Sequence, residues 1–143
     1  MADFNLNTFL PYLLNQAAEA ASLSFQQVYK DRYGMLRTEW RVLFHLGLYG
    51  QLTASEIGAR ASLHKTKVSR AVSRLEARRY LSRARDTADR RVEHLALTPA
   101  GQAVFKDLRQ VAERYDADLV AALPPGEAQR LREVLLRLAG REA

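Results

Sequence analysis

The chain has 143 residues, of which 48% are hydrophobic, a net charge of +6 and no cysteine. This length suits one compact domain, and the lack of cysteine excludes disulfides, thiolate metal ligands and thiol redox chemistry. No stretch of about 18 apolar residues and no signal-peptide pattern occurs, so we expect a soluble, cytoplasmic protein.

The positive charge is concentrated in the middle third of the chain. Residues 1–50 and 99–143 each carry equal numbers of acidic and basic side chains, so residues 51–98 hold the whole excess of +6. A basic segment between two neutral flanks is typical of a surface that faces a polyanion. The alternative is a basic surface that is simply solvated.

The first third of the chain predicts two helices. Apolar residues recur at spacings of three and four from Leu6 to about Val28, which predicts an amphipathic helix. Gly34 interrupts the pattern, and Thr38 is the expected N-cap of a second helix with apolar residues directed to the core. Gly47 and Gly50 weaken and close this second helix.

The basic middle segment predicts a helix-turn-helix. Thr53 and Glu56 fit a capping box, so a short third helix should run to about Arg60. After a tight connector, a fourth helix from about His64 to Tyr80 should be the recognition helix in the major groove. Its predicted buried side is Val68, Ala71, Val72 and Leu75. Its predicted DNA-contacting residues are Lys65, Thr66, Lys67, Ser69, Arg70, Ser73 and Arg74.

The segment after the fourth helix predicts a β-hairpin wing. Short strands at 81–85 and 92–97 flank a charged loop at 86–91. Arg85, Arg90 and Arg91 are expected to contact DNA, with arginines of the tip reaching an adjacent minor groove. Asp89 is expected to orient Arg91, because a carboxylate that faced DNA unpaired would repel phosphate.

Two further helices complete the predicted fold. Thr98 and Pro99 are a typical helix start, and the helix should continue to about Ala122. Its apolar positions resemble a coiled-coil seam: Val104, Leu108, Val111, Tyr115 and Leu119. Pro124 ends this pattern, and a last helix over 127–138 carries Leu131, Val134, Leu135 and Leu138 on one side.

The run from Asp89 to Gly101, with Asp-x-Arg followed by Leu-x-Leu-Thr and then Gly, resembles the wing signature of the MarR family. The resemblance extends over nearly the whole chain and implies one domain, 1–143, mainly α with a small β-hairpin wing. In it, segments 1–33 and 100–143 would intertwine in a homodimer, and 35–98 would form the winged helix-turn-helix lobe. Arg79 and Tyr80 depart from the family pattern, which commonly has glycine at the end of the recognition helix.

The resemblance also implies a response to small phenolic or aromatic anions, bound between the dimer helices and the winged lobe. Tyr33, Arg37, Trp40 and Phe44 would supply an aromatic wall and a cation there, although such residues also serve simply as core. The expected function is a repressor of transcription that binds a pseudo-palindromic operator in double-stranded DNA and is released by such an effector. No cofactor is implied.

Other functions fit the sequence less well. His45, His64 and His94 lack the spacing of metal ligands, and no nucleophile pattern or phosphate loop occurs, so we expect neither an enzyme nor a metal sensor. His45 is expected at the core or at a pocket edge and His64 as a helix cap, while wing polarity explains Asp86 and Asp89. The alternative is an architectural DNA-binding protein without an effector.

Overall fold

A computed structural model describes residues 3–141, mostly helical with a small antiparallel sheet. The chain forms two compact units, residues up to Gln110 and residues from Val111 onward. The helices are α1 (Leu10–Tyr33), α2 (Arg37–Tyr49), α3 (Ala54–Ala61), α4 (Lys65–Ala77), α5 (Pro99–Ala121) and α6 (Glu127–Leu138). The strands are β1 (Leu52–Thr53), β2 (Leu81–Arg85) and β3 (Glu93–Leu97). The predicted fold class is confirmed.

The core of the first unit is built from the apolar sides of its helices. Helix α2 packs against both α3 and α4. The spacing of three and four residues places one side of each helix inward, which removes that side from water. The fully buried helical residues include Val42, Leu43, Leu46, Ile57, Val68, Leu75 and Leu108, and Leu95 of β3 packs with them in the core.

The sheet has three strands rather than the two predicted. Strand β3 lies between β1 and β2 and pairs with both in antiparallel register, so Leu95 lies opposite both Leu52 and Arg83. The sequence prediction missed β1 because a two-residue strand has no alternation to detect. Strand β1 places the start of α3 beside the wing, because it pairs with β3.

Helix α1 differs from its prediction at both ends. Leu6–Thr8 is a separate 3-10 turn, and α1 begins at Leu10. Pro11 explains this start, because a proline is tolerated in the first helical turn but would break a helix that began at Leu6. The helix continues to Tyr33, since Phe25 and Tyr29 extend its buried stripe, and Gly34 closes it with φ +64°.

The predicted N-cap of α2 was wrong by two residues. The cap is Leu36, and Thr38 lies within the first turn. The Glu39 carboxylate explains the difference, because its Oε2 accepts a hydrogen bond from the Leu36 N–H at 3.0 Å. A side chain from the third helical position thus caps the helix start. Gly50, with φ +77°, closes α2 as predicted.

Helix α4 ends three residues before its predicted end. Arg78 is the C-cap, and Arg79 takes the left-handed conformation with φ +65°. Arg79 therefore stands at the position where glycine is favoured. The Thr98 hydroxyl donates to the Arg79 carbonyl oxygen at 2.6 Å, which ties this turn to the start of α5.

Helix α5 begins as predicted. Thr98 Oγ1 accepts a hydrogen bond from the Gly101 N–H at 3.1 Å, which confirms the predicted cap. A β-carbon at Gly101 would lie 1.9 Å from the Tyr80 carbonyl oxygen, so only glycine fits there. The role of 1–33 and 100–143 in dimerisation stays a prediction, and residues 1–2 and 142–143 lie outside the described range.

The second unit contains α6 with no buried residue. Leu131, Val134, Leu135 and Leu138 are between 39% and 60% exposed. The sequence predicted that these four residues share one side of a helix over 127–138, and α6 has those bounds. None of the described helices is both long enough and apolar enough to cross a membrane.

Candidate nucleic-acid interface

Helix α4 has one buried and one exposed side. Val68, Ala71, Val72 and Leu75 are at most 2% exposed, as predicted from their spacing. Seven polar and basic residues predicted to contact DNA are all exposed: Lys65, Thr66, Lys67, Ser69, Arg70, Ser73 and Arg74. The helix therefore offers hydrogen-bond donors and positive charge to solvent along its length.

The start of α4 is fixed by local hydrogen bonds. His64 is its N-cap, as predicted, and its Nδ1 accepts from the Thr66 N–H at 3.3 Å. In the preceding turn, Ser62 adopts φ +54° and the Leu63 N–H donates to the Gly58 carbonyl at 3.0 Å. These bonds set the direction in which α4 leaves α3.

The start of α3 has the predicted capping box. The Thr53 N–H donates to Glu56 Oε1 at 3.0 Å, and the Glu56 N–H donates to Thr53 Oγ1 at 3.2 Å. The hydrogen bonds with Thr53 lower the pKa of Glu56 because they favour its charged form. Glu56 is thus a structural carboxylate.

Arg74 is the predicted contact residue with a buried partner. Its Nη1 lies 3.6 Å from Oε2 of Glu39, a side chain that is 1% exposed, while the Arg74 side chain is 54% exposed. The pair joins the end of α4 to the first turn of α2. Nothing in the sequence pattern indicated it, because the two residues are far apart along the chain.

Arg78 is a further residue that the sequence prediction missed. Its guanidinium donates to the backbone carbonyl oxygens of Tyr33 and, at 3.0 Å, Gly34. It thereby satisfies carbonyls at the end of α1 that have no partner within that helix. Arg78 thus connects the end of α4 to the end of α1, although its charge alone suggested a surface residue.

The wing loop is organised by Asp86. Its Oδ2 accepts from the N–H groups of Ala88 and Asp89 at 3.0 and 2.8 Å, and its Oδ1 lies 2.9 Å from Nε2 of His94. The hydrogen bond from His94, followed by those from the backbone, lowers the pKa of Asp86. His94 and Asp86 are therefore paired with each other across the wing.

Asp89 contacts Arg91 as predicted. Its Oδ1 accepts from the Arg91 backbone N–H at 3.0 Å and from Nε at 3.1 Å. The bonds from Arg91 lower the pKa of Asp89. Oδ2 of Asp89 also accepts from Arg91 Nη2 at 3.3 Å, and the Arg91 side chain is 91% exposed, so the carboxylate orients the guanidinium while leaving it open to solvent. The contact of Arg91 with DNA stays a prediction.

The other wing arginines divide into two kinds. Arg85 and Arg90 are exposed, and Arg85 donates to the Arg90 carbonyl at 3.3 Å. Arg83, which the sequence prediction left without a role, pairs with Glu76 at 3.1 Å and Glu93 at 3.4 Å. It also donates to the Ser73 hydroxyl at 3.2 Å, so it braces the wing against α4.

An open cavity with a volume of about 360 Å³ lies between the start of α3, helix α4 and the wing. Its lining includes hydroxyl and basic side chains, among them Ser55, Ser69, Lys65, Arg83 and Arg91, beside Glu93 and an apolar floor that contains Val72, Val92 and Leu95. Hydroxyl and basic groups are those that hold phosphate oxygens in DNA complexes. Among residues 3–141, no group of three or more His, Asp or Glu side chains is arranged to hold a metal ion.

Three of the four predicted effector residues lie around one aromatic cluster. The Trp40 ring meets Phe44 edge-on at 5.1 Å and Phe25 at 5.5 Å, measured between centroids. Arg37 interacts with the Tyr29 hydroxyl beside Trp40, although burial is the stronger influence and raises the pKa of Tyr29. The guanidinium of Arg37 also donates to Gln26 Oε1 at 3.4 Å and lies 3.5 Å from a Glu19 oxygen, both long contacts. Tyr29 was missed by the sequence prediction.

Tyr33, the fourth predicted effector residue, has different neighbours. Its hydroxyl donates to Asp107, which Arg32 also contacts at 3.0 Å, and its ring meets Tyr80 edge-on. Burial and the Asp107 carboxylate raise the pKa of Tyr33 to about 12. Tyr33 thus belongs to the junction of α1 with α5.

Comparison with known proteins finds that the chain is similar to one family of transcriptional regulators. The family model described as MarR family matches residues 33–92. The transcriptional repressor MdtR of Bacillus subtilis is 28% identical, over 76% of this chain and 70% of its own length.

Two solved structures are similar over nearly the whole chain. The MarR family regulator SPO1453 from Silicibacter pomeroyi is 28% identical with a TM-score of 0.84, covering 96% of this chain and 98% of its own. The PcaV regulator from Streptomyces coelicolor, solved with its natural ligand, is 26% identical with a TM-score of 0.82, covering 98% of both chains. With the exposed α4 and the wing, these likenesses make the chain similar to the MarR family of helix-turn-helix transcriptional regulators, whose model matches residues 33–92.

Proposed function

We propose that this chain is a sequence-specific repressor that binds a pseudo-palindromic operator as a homodimer and leaves it when a small aromatic or phenolic ligand binds. One observation carries the DNA-binding part. Helix α4 exposes a continuous row of donors and cations opposite a buried apolar row, directly beside a basic wing. The repressor role is supported by the 28% identity to MdtR, a transcriptional repressor.

The proposed DNA contacts follow from what each side chain can reach. In the major groove, Arg70 and Arg74 would read guanine edges, and the hydroxyls and lysines of α4 would contact bases or phosphates. Arg91, with Arg85 and Arg90, would follow the minor groove and its phosphates. Lys65, Thr66, Lys67, Ser69 and Ser73 complete the proposed interface.

The proposed homodimer rests on apolar surface that each unit leaves open. In the first unit, Leu6, Phe9 and Leu10 are between 43% and 63% exposed. In the second, the leucines and valine of α6 are similarly exposed. Exposed apolar surface of this kind is typical of protein interfaces. A symmetric dimer would present two copies of α4, which matches two operator half-sites.

The proposed effector site is the aromatic cluster around Trp40. An aromatic acid would gain from burial of its ring against Trp40 and Phe44 and from the charge of Arg37, whose present contacts are long. PcaV, 26% identical to this chain, binds a natural ligand, which supports a ligand-responsive regulator. Tyr33 would border this site from the end of α1.

Selection of bound duplexes from a random DNA pool tests the proposal. We expect one pseudo-palindromic site that binds about 10³-fold more tightly than random DNA at the same salt concentration. Hydroxybenzoates and hydroxyphenylacetates, titrated into that complex, should include a compound that releases the protein. Equal affinity for all duplexes would favour the architectural alternative, and a specific complex that no aromatic acid releases would contradict the effector class.

A further inference from the structure

Glu39 is a buried carboxylate in a part of the molecule where no substrate or metal explains it. It lies in the first turn of α2 with 1% of its surface exposed. Its Oε2 accepts the Leu36 N–H, and its Oε1 is buried without a hydrogen-bond partner. A buried carboxylate is unfavourable unless a cation or several hydrogen bonds compensate its charge.

Arg74 supplies the missing cation. Its Nη1 lies 3.6 Å from Glu39 Oε2, beyond hydrogen-bond distance but well within the range of an ion pair. The start of α2 adds a favourable helix dipole, which stabilises negative charge without fixing any arginine. The carboxylate is immobilised by burial and by the Leu36 N–H, so it holds one end of the Arg74 guanidinium in place.

The pair differs from the other arginine contacts beside α4. Arg83 meets Glu76 and Glu93, whose side chains are 46% and 35% exposed, and exposed ion pairs constrain arginine weakly. Arg74 also lies one turn beyond Arg70 on the exposed side of α4. The buried Glu39 carboxylate thus contacts Arg74, which belongs to the exposed row of α4 that is predicted to contact DNA.

We infer that Glu39 is a positioning residue for DNA recognition, holding Arg74 so that its remaining N–H groups face the duplex in one orientation. This inference rests on the proposed function. An arginine that is already ordered loses less conformational freedom when it pairs with a base. Without the restraint, Arg74 reaches nearby phosphates, which raises affinity for every sequence alike. Glu39 therefore sets specificity from a buried position that DNA does not touch.

The test replaces Glu39 by glutamine in the full chain. A glutamine oxygen still accepts the Leu36 N–H, so the helix cap is retained while the charge is removed. The matched control is Glu76→Gln, which removes the same charge from α4 but leaves Arg83 its partner Glu93. Affinities for the selected operator and for a random duplex are measured by fluorescence anisotropy at one salt concentration.

We expect Glu39→Gln to lower the ratio of operator affinity to random-duplex affinity at least tenfold, mainly by tighter binding to the random duplex. Glu76→Gln should change that ratio less than threefold. The effect of Glu39→Gln should disappear when Arg74 is also replaced by glutamine, which a merely structural role would not produce. The inference is overturned if Glu39→Gln leaves the ratio unchanged. It is also overturned if Glu39→Gln lowers the ratio as much in the Arg74→Gln background as in the wild type.

Arg74→Lys keeps the test decisive if Glu39→Gln does not fold. Lysine retains a cation for Glu39 but lacks the forked geometry of arginine. The ratio should then fall at least tenfold at nearly constant random-duplex affinity, and an unchanged ratio overturns the inference. The two proposals fail differently, because a wild-type chain with no preferred site contradicts both, whereas a specific wild-type chain with insensitive variants contradicts this inference alone.

Discussion

Three carboxylates act on the arginines and the backbone of the basic segment, residues 51–98. Asp89 holds Arg91, Asp86 collects two loop N–H groups, and Glu39 meets Arg74 from the interior. Each of these groups reduces the conformations open to a cation or loop that is proposed to meet DNA. Asp86 and Asp89, within residues 51–98, and Glu39, outside them, thus order the surface that is proposed to bind DNA.

Arg79 is the residue whose replacement should stabilise the protein. Its φ of +65° places it in the left-handed region, which costs a side-chain-bearing residue roughly 1–2 kcal/mol. Glycine relieves that strain but gains freedom in the unfolded chain, so we expect Arg79→Gly to raise the free energy of unfolding by about 0.5–1 kcal/mol. Urea unfolding measures this change.

Arg79→Ala is the matched control for that prediction, because alanine removes the same side chain but keeps the strain. It should show no gain in the free energy of unfolding. If Arg79→Gly is as stable as Arg79→Ala or less stable, the left-handed conformation at this position is not a source of strain.

At the scale of elements, the sequence predicted most of this lobe because its signals are local. The capping box at Thr53, the cap at Thr98 and the four buried positions of α4 each follow from residues within a few positions of one another. The errors came from interactions that span the chain or oppose the local signal. Glu39 displaced the predicted cap at Thr38, and β1 exists only through its pairing with β3.

The residues predicted to contact DNA were identified from the same periodicity, since all seven lie within α4 and are exposed, opposite its buried row. The residues that connect one element to another were not identified, because Arg78, Arg83 and Glu39 look like ordinary charged residues in the sequence. Their partners lie on other elements, and only the fold brings them together. Tyr33 was grouped with Trp40 through the family resemblance, and the structure shows that its hydroxyl donates to Asp107.

The wing should lose stability in acid through Asp86. Its pKa in the folded protein lies below the ordinary value of 3.8, because His94 and two backbone N–H groups favour the carboxylate. A lowered pKa stabilises the fold above that ordinary value, and the contribution is lost as the pH falls through the folded pKa. Asp86→Asn should therefore be less stable than the wild type at pH 7, and this difference should shrink below about pH 4.

Urea unfolding at a series of pH values measures the contribution of Asp86. Asp118→Asn is a control for a carboxylate in the other unit, and its difference from the wild type should not follow this pattern. A difference for Asp86→Asn that stays constant from pH 7 to pH 3 would show that the carboxylate does not hold the wing loop.

At the scale of the whole molecule, charge and apolar surface are separated along the chain. The excess charge of +6 lies in residues 51–98, whereas the large exposed apolar side chains lie mainly outside that segment. This separation lets one part of the molecule meet a polyanion and other parts meet a second copy. It is the whole-chain basis for the proposed regulator.

The proposed dimer predicts a mass of twice 16.2 kDa. Sedimentation equilibrium at micromolar concentration should give that value for the wild type. Leu131→Glu combined with Leu135→Glu should shift the mass toward the monomer, because a charge would be buried on a side that the dimer covers. A surface control, Glu133→Gln, should remain dimeric, and a wild-type monomer would contradict the two-half-site operator.

The most direct measurement of the central claim compares wild type, Arg70→Ala and Lys106→Ala on the selected operator and on a shuffled duplex of the same composition. Arg70 lies in the exposed row of α4, and Lys106 is an exposed lysine on α5. We predict a wild-type preference of about 10³-fold, a loss of about 1–3 kcal/mol of operator binding in Arg70→Ala, and little change in Lys106→Ala. Equal binding of both duplexes by the wild type, or an Arg70→Ala variant with full preference, would contradict the account.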